Sequence, residues 1–394
     1  MQMPWAVVIA CCVGMFAATA SGSSRAPFLL DMAGDLNVTL PAIANLFGVT
    51  SVCWGLSAYV AGLGSDRFGR GPFLLGAPIM LALSLVAMSL VYDYWLLVAC
   101  VAIAGIGCGA FTATSMAEVS LRTESNQRGR ALGWVMGGQS LTLLIGVPLS
   151  AWLGAIIGWR GVHVGIAVIA VFATILVAFS VRKPSRSSVS APVIDAPRTT
   201  LGQALTGPIT RLFIALIMER ICFGLSAFYY AAFLRTSYTL EIEAVALPLA
   251  GFAVGNIVGT VLGGQLADKF PYRRVSFAVC MFIAGGFALA WFMWTPGLLI
   301  TIAIGVGFSL FDALSRPSLM AALADVPVDV RGVIMGLNTS IASIGWLIAA
   351  LVGGWLYAGI GFASFGPIMA TMCVTAGLLV LRDSRIRQHV TPAS

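Results

Sequence analysis

The sequence predicts an all-α membrane protein in which twelve transmembrane helices form two six-helix bundles. Three observations predict this fold class. Of the 394 residues, 59% are hydrophobic and only 9% are charged. The third observation is a succession of apolar segments, each long enough to cross a bilayer, which takes about 20 residues. Soluble proteins carry about 25% charged residues, so the composition excludes a soluble globular enzyme and a disordered chain. We expect neither enzymatic activity nor a cofactor.

The apolar segments divide into two sets of six. The first set lies at 6–30, 40–63, 72–92, 95–121, 129–156 and 159–181. The second set lies at 210–235, 242–269, 274–294, 296–323, 330–358 and 361–382. Between the sets the chain is polar and rich in Pro and Ser, which is typical of a linker. The predicted domains are an N-terminal bundle (1–181), a cytoplasmic linker (182–209) and a C-terminal bundle with a short cytoplasmic tail (210–394).

Basic residues are unevenly distributed over the loops. With the N-terminus in the cytoplasm, 17 of the 22 Lys and Arg residues fall in loops and termini on that side, and only Arg160 and Arg235 fall opposite. Cytoplasmic loops of membrane proteins accumulate positive charge, so we predict a bacterial inner-membrane protein with both termini in the cytoplasm. The same distribution explains the net charge of +7 without a nucleic-acid partner.

The residues that bind metals in proteins are few or buried in the spans. All eight cysteines lie in predicted spans, where they are interpreted as free thiols that pack as small hydrophobic residues. The only histidines are His163 and His389, so we expect no histidine-built metal site. Cys and Met at helical spacing in spans 1 and 7 leave a copper(I) pathway as a minor alternative.

The two halves repeat the same uncommon residues at a nearly constant spacing. Gly158, for example, recurs as Gly361 after 203 residues. Other pairs, separated by 202 or 203 residues, are Arg128-Gly129 and Arg331-Gly332, Trp152 and Trp355, Gly62 and Gly264, and Asp66 and Asp268. Six spans return the chain to the same side of the membrane, so the halves are predicted to be parallel repeats with a cavity between them.

Four short segments resemble a known family. Residues 62–70 (GLGSDRFGR) are similar to the loop 2–3 signature of the major facilitator superfamily, and residues 264–269 (GQLADK) resemble its copy in the second half. The residues Gly-Val-Pro-Leu at 146–149 and Gly-Trp-Arg at 158–160 resemble the twelve-span drug/sugar-efflux group of drug:proton antiporters. This resemblance implies secondary active transport. Val101 stands where many proton-coupled exporters carry an arginine, so their coupling residues cannot be transferred to this chain.

Loop 2–3 and its copy are predicted to form a conformational latch. The Asp66 carboxylate can accept hydrogen bonds from a neighbouring helix N-terminus and pair with arginine, and the resemblance implies the same use across the superfamily. The alternative is that the charged side chains only anchor this loop to the membrane surface. The predicted latch residues are Gly62, Asp66, Arg67, Gly69, Arg70, Gly264, Asp268, Lys269 and Arg273.

Five charged residues lie within the predicted spans: Arg25, Glu219, Arg220, Asp312 and Arg316. Burying a charge near the bilayer centre costs about 2.5–3.5 kcal/mol on insertion scales, so such residues are functional by default. Desolvation favours a neutral acid, whereas a nearby arginine favours the carboxylate. A conformational change that alters this balance binds or releases a proton, and Glu219 and Asp312 are the predicted proton-coupling residues. The alternatives are a static Asp312–Arg316 pair and a Glu219 side chain at the membrane interface.

The substrate is predicted to bind in the cavity through the three buried arginines. Because these outnumber the two carboxylates, an anionic or zwitterionic substrate is favoured. Pro27 bends the helix beside Arg25, although Arg25 could instead lie at the periplasmic end and extend outward. Further candidate lining residues are Trp54, Phe223, Tyr230, Gln139, Asn256 and Asn338. Each could instead pack between helices, face lipid or bond a neighbouring helix.

We therefore predict proton-coupled efflux of a small organic solute, either amphipathic or anionic. The alternative is uptake of an organic anion bound by the intramembrane arginines. The expected partners are a small-molecule substrate, protons and the lipid bilayer, and we expect a monomer. A sensor or scaffold would not need charges on helices that line a cavity.

Overall fold

The computed structural model describes residues 4–124, 127–181, 207–270, 272–294, 296–324 and 328–382. Within these ranges, the side chains at 66, 129, 324, 328–336 and 339 are outside the description. Most of the predicted linker (182–206) and the predicted tail beyond 382 also lie outside the described residues.

Both halves of the described chain are built from helices. In the first half they are α1 (Trp5–Ser23), a 3-10 turn (Ala26–Phe28), α2 (Leu29–Asp35), α3 (Leu40–Phe68), α4 (Gly71–Leu90), α5 (Tyr94–Arg122), α6 (Arg128–Leu141), a π turn (Thr142–Gly146) and α7 (Val147–Val181). In the second half they are α8 (Gly207–Ser237), a 3-10 turn (Glu243–Val245), α9 (Ala246–Lys269), α10 (Arg273–Met293), α11 (Leu298–Ala324), α12 (Val328–Gly359), a 3-10 turn (Phe362–Ser364) and α13 (Phe365–Leu381).

Eleven stretches of the described chain are long and apolar enough to cross a membrane. One of them, Arg130–Val181, has 52 residues, which is more than twice the length that one crossing needs. The backbone of α7 breaks inside this stretch at Gly158, where φ is 68° and ψ is 171°. The stretch therefore supplies two crossings, and the twelve-helix fold predicted from the sequence is confirmed.

The repeat of the sequence is also a repeat of the backbone. Gly361 follows α12 with φ 83° and ψ −174°, nearly the conformation of Gly158. A positive φ is costly for any residue with a Cβ atom, which explains a glycine at both positions. These two glycines therefore mark equivalent corners between the fifth and sixth crossings of each half.

Pro27 ends the first helix of the first crossing early. It lies in the 3-10 turn Ala26–Phe28, between the end of α1 and the start of α2. Proline lacks an amide hydrogen, so a regular α-helical bond cannot form there. The α-helix is therefore interrupted beside Arg25, where the sequence predicts a bend.

The chain divides into two compact units. The first contains the described residues of Met1–Val189 together with Phe228–Ala250, and the second contains those of Ser190–Ala227 and Gly251–Ser394. Helix α8 therefore begins in the second unit and ends in the first. The compact units are thus not identical with the two sequence halves.

Close helix contacts within each unit depend on glycine. In the first unit, α5 packs on α3, and a Cβ atom at Gly109 would lie 2.2 Å from the Trp54 carbonyl oxygen. In the second unit, a Cβ atom at Gly259 would lie 2.2 Å from the Leu310 carbonyl oxygen. The glycines in the middle of α5 thus permit helix packing, as expected for small residues in membrane bundles.

Candidate functional site

Four of the five predicted intramembrane charges lie together inside the second unit. Glu219 and Arg220 come from α8, and Asp312 and Arg316 come from α11. Glu219 is roughly 18 Å along the axis from the start of α8, at 1.5 Å per residue, and Asp312 is near the middle of α11. Both carboxylates are fully buried. Glu219 therefore lies well inside the helix rather than at its end.

Arg316 joins the two carboxylates. Its Nε donates to Glu219 Oε1 at 2.6 Å, and its Nη2 donates to Asp312 Oδ2 at 2.6 Å. The Asp312–Arg316 contact is the i, i+4 pair expected from the sequence. The Glu219 contact links α11 to α8, and this partner could not be identified from spacing alone.

Each carboxylate retains one oxygen that does not bond Arg316. Arg220 Nε lies 3.2 Å from Glu219 Oε2, which is an ion-pair distance without hydrogen-bond geometry. Among the described residues, neither Glu219 Oε2 nor Asp312 Oδ1 has a hydrogen-bond partner. Buried oxygens of this kind are costly, so the cluster retains capacity to bind a proton or a polar ligand.

Aromatic side chains enclose one side of the cluster. The Arg316 guanidinium carbon is 4.1 Å from the centre of the Phe223 ring. Phe223 in turn packs against Phe252 at 5.9 Å and, edge to face, against Trp346 at 5.5 Å. Phe223, a candidate lining residue, thus lies against the Arg316 guanidinium. These rings lower the local polarity and strengthen the electrostatic interactions of the cluster.

Arg25 is buried in the first unit, with only 2% of the residue exposed. Its Nε donates to the Ser21 carbonyl at 3.2 Å, Nη1 to the Leu46 carbonyl at 3.3 Å, and Nη2 to Thr50 Oγ1 at 2.6 Å. The ring of Phe47 lies 5.3 Å from the guanidinium carbon. Within the described chain, no carboxylate forms an ion pair with Arg25. The side chain does not extend outward.

The other predicted aromatic residues lie in the first unit. Trp54 is partly buried on α3, and Tyr230 is buried in the last third of α8. Phe223 belongs to the part of α8 in the second unit. The candidate lining residues Phe223 and Tyr230, although both on α8, therefore belong to different compact units.

The three predicted amide residues have weak or no side-chain partners. Gln139 Nε2 lies 3.8 Å from the sulfur of Met15 in the first unit. In the second unit, Asn256 Nδ2 and Asn338 Oδ1 are buried and have no hydrogen-bond partner among the described residues. Both remain candidates for polar contacts with a ligand.

The predicted latch residues occupy equivalent helix ends. α3 ends at Phe68, and Gly69 has φ 84° before α4 begins. Arg70 Nη1 lies 3.8 Å from Glu118 Oε2 on α5, and Glu118 also pairs with Arg122. Arg67 is exposed, as are Asp268 and Lys269 at the end of α9, whereas Gly62, Gly264 and Arg273 are partly buried. The Asp66 side chain lies outside the described residues, so the latch stays a prediction.

Sequence reasoning missed two ion pairs at α2. The Asp31 carboxylate accepts a hydrogen bond from each terminal nitrogen of Arg235, one of them at 3.0 Å. Asp35 forms an ion pair with Arg160 and accepts a hydrogen bond from Trp159 Nε1 at 2.9 Å. These are the only two arginines that the charge count assigned to the face opposite the termini. The sequence signal for these pairs was that Asp31 and Asp35, four residues apart, lie in a loop predicted to be on the same side of the membrane as the two arginines.

The observed fold defines a class of protein. Twelve crossings in two repeats, with charges buried in the bundle, are typical of secondary transport proteins. A sequence model of the Major Facilitator Superfamily matches residues 11–230 and again 212–393. The chain therefore belongs to the Major Facilitator Superfamily of membrane transporters, as its loop signatures indicated.

Individual relatives are distant but span most of the chain. The chloramphenicol resistance protein of Streptomyces lividans is 25% identical, over 89% of this chain and 88% of its own. The purine ribonucleoside efflux pump NepI of Salmonella enteritidis PT4 (strain P125109) is 24% identical, over 80% of this chain and 77% of its own. A bacterial homologue of the human lysosomal transporter Spinster, in an inward-facing and occupied conformation, has the same fold: the TM-score is 0.81 at 15% identity, covering 100% of both chains.

Proposed function

We propose that this protein exports a small organic solute in exchange for protons, by alternating access across the bacterial inner membrane. The observation that carries the proposal is the buried cluster in which Arg316 bonds both Glu219 and Asp312. Ionisable residues inside membrane helices are rare because they are costly to bury, and they mark ion pathways and proton relays.

The geometry of the cluster provides a physical route for coupling. A proton on either carboxylate weakens its bond to Arg316, because a neutral acid lacks the charge that attracts the guanidinium. For Glu219, this weakens a contact that joins α8 to α11. Proton binding is thereby linked to the packing of two helices, and by reciprocity a change in that packing alters proton affinity.

Two relatives support export as the direction of transport. One is named as a purine ribonucleoside efflux pump and the other as a chloramphenicol resistance protein. Chloramphenicol and a purine ribonucleoside such as inosine are therefore the first solutes to test.

A second candidate function is uptake of an organic anion, and Arg25 favours it. This buried guanidinium bonds two carbonyl oxygens and one hydroxyl, and within the described residues no carboxylate balances its charge. An anionic substrate would supply the missing negative charge.

Transport in liposomes tests the main proposal. Purified protein is reconstituted with a pH-sensitive dye in the lumen, and each solute is added outside. Exchange predicts that the lumen becomes alkaline as solute enters, whereas co-transport predicts that it becomes acidic. Glu219→Gln and Asp312→Asn cannot release a proton at these positions. We expect each variant to lower proton-coupled transport about tenfold, within the usual range of coupling energies.

The matched control is Glu241→Gln, which neutralises an exposed carboxylate outside the cluster. We expect it to transport like the wild type. If both Glu219→Gln and Asp312→Asn still move protons at the wild-type rate, the cluster is excluded as the site of proton coupling.

A further inference from the structure

Helix α12 packs directly on α8 beside the residues that carry the buried charges. A Cβ atom at Gly345 of α12 would lie 2.4 Å from the Cβ atom of Arg220 and 2.9 Å from the carbonyl oxygen of Ile217. Carbon atoms in favourable contact are about 3.5–4.0 Å apart. A residue larger than glycine therefore fits at position 345 only if α12 and α8 separate.

A change of side-chain rotamer cannot relieve this contact. Both atoms nearest to Gly345 are fixed to α8, because one belongs to its backbone and the other is a Cβ atom whose position the backbone determines. Gly377 of α13 differs in this respect, since its nearest neighbour is the ring of Phe282, which can rotate away. Protein interiors are close-packed, so a side chain at position 345 must displace one of the two helices.

The next residue of α12 contacts α8 about one turn further along. The rings of Trp346 and Phe223 meet edge to face, with 5.5 Å between their centres. The same Phe223 ring covers the Arg316 guanidinium, whose carbon is 4.1 Å from the ring centre. One short segment of α12 thus supports α8 at Arg220 and at Phe223, the residues that follow Glu219 on that helix.

The contact acts on the cluster through position rather than charge. Residues 337–359 of α12 include no charged residue. The hydrogen bond from Arg316 Nε to Glu219 Oε1 is 2.6 Å long, and such bonds extend to about 3.2 Å. Relief of the contact at position 345 needs a movement of roughly 1 Å, which is more than this bond tolerates.

Movement of either helix alters a contact of Arg316. If α8 moves, Glu219 shifts relative to Arg316 on α11. If α12 moves instead, Trp346 withdraws from Phe223, and the ring that covers Arg316 loses its support. Both contacts therefore depend on the close approach that glycine permits at position 345.

We propose that Gly345 is a positioning residue for proton coupling, which lets α12 hold α8 where Glu219 and Phe223 both reach Arg316. Because the cluster is the proposed coupling site, the consequence for transport rests on the proposed function. The consequence for packing does not.

The number of protons moved per solute molecule tests the consequence for transport. Liposomes are loaded with the pH-sensitive dye, and uptake of radiolabelled chloramphenicol or inosine is measured in parallel. We expect Gly345→Ala to lower the ratio of protons to solute about fivefold, at the low end of usual coupling factors. A merely structural defect would leave fewer active molecules and lower both fluxes equally, so an unchanged ratio would overturn the role in coupling.

Melting temperatures in detergent test the packing without transport. Gly345→Ala, Glu219→Gln and the double variant are compared with the wild type. If Gly345 holds Glu219 against Arg316, loss of the carboxylate charge should cost less in the Gly345→Ala background, where that contact is already weakened. We therefore expect the decrease in the double variant to be smaller than the sum of the two single decreases. Additive decreases would overturn the proposal.

The matched control is Gly107→Ala in the first unit, where a Cβ atom would also lie 2.9 Å from a carbonyl oxygen, that of Ala77. We expect a lower melting temperature that is additive with Glu219→Gln, and a wild-type ratio of protons to solute. If the wild type moves no protons with either solute, the proposed function fails, and the melting temperatures still decide whether Gly345 positions the cluster.

Discussion

Two arginines buried in this protein differ in how their charge is balanced. Arg316 bonds two carboxylates at 2.6 Å each. Arg25 bonds two carbonyl oxygens and the Thr50 hydroxyl, whose dipoles satisfy its donors but do not cancel a unit charge. Arg25 is therefore the side chain at which the choice between an anionic and an uncharged substrate can be tested.

Substitution of Arg25 separates charge from structure. If Arg25 binds an anion, Arg25→Gln should weaken binding of benzoate, a simple organic anion, by roughly ten- to a hundredfold, the effect of losing a hydrogen bond to a charged group. Arg25→Lys keeps the charge and should lose much less. Affinity is measured by calorimetric titration of the purified protein.

Thr50→Val provides the control for this prediction. It removes the 2.6 Å bond to Arg25 but leaves the charge, so we expect a lower melting temperature and nearly unchanged benzoate affinity. If the wild type binds benzoate and Arg25→Gln binds it equally well, the organic-anion function loses its support.

At the scale of helices, the corner glycines connect sequence repetition to backbone geometry. Gly158 and Gly361 both combine a positive φ with a ψ near 180°, a conformation that costs a residue with a Cβ atom about 1–3 kcal/mol. We expect Gly158→Ala and Gly361→Ala each to lower the melting temperature in detergent. The control Gly286→Ala lies within α10 with open space at its Cβ position and should leave the melting temperature equal or slightly higher. Wild-type melting of both corner variants would show that these corners tolerate a side chain.

The helices show which features of the fold and the site can be predicted from the sequence and which cannot. Hydrophobic length alone located the crossings, because a membrane helix needs a fixed apolar length. Local spacing also identified the Asp312–Arg316 pair, since residues four apart share a helix face. The partners Glu219–Arg316 and Asp31–Arg235 come from different helices, so their meeting depends on helix rotation and packing, which one sequence does not determine. The π turn Thr142–Gly146 was likewise not predicted; there the Thr142 hydroxyl donates to the Phe16 carbonyl of α1 at 3.0 Å.

At the scale of the whole molecule, the distribution of charge and the ion pairs at α2 belong to one pattern. Arg160 and Arg235 are the two arginines assigned to the face opposite the termini, and each is paired with an aspartate of α2. Pairing reduces the uncompensated positive charge on that face further. The orientation rule counts positive residues near the ends of spans and not net charge, so the prediction that the termini lie in the cytoplasm rests on the distribution of Lys and Arg alone.

Cysteine labelling in intact cells tests this orientation. Glu241 lies between α8 and α9, and Phe270 lies between α9 and α10; both are exposed. An odd number of crossings separates Glu241 from the N-terminus and an even number separates Phe270. A membrane-impermeant maleimide should therefore label Glu241→Cys in intact cells and Phe270→Cys only after permeabilisation. The wild type, whose cysteines are buried or partly buried, measures background labelling. The opposite result would invert the molecule in the membrane and contradict the predicted cytoplasmic location of both termini.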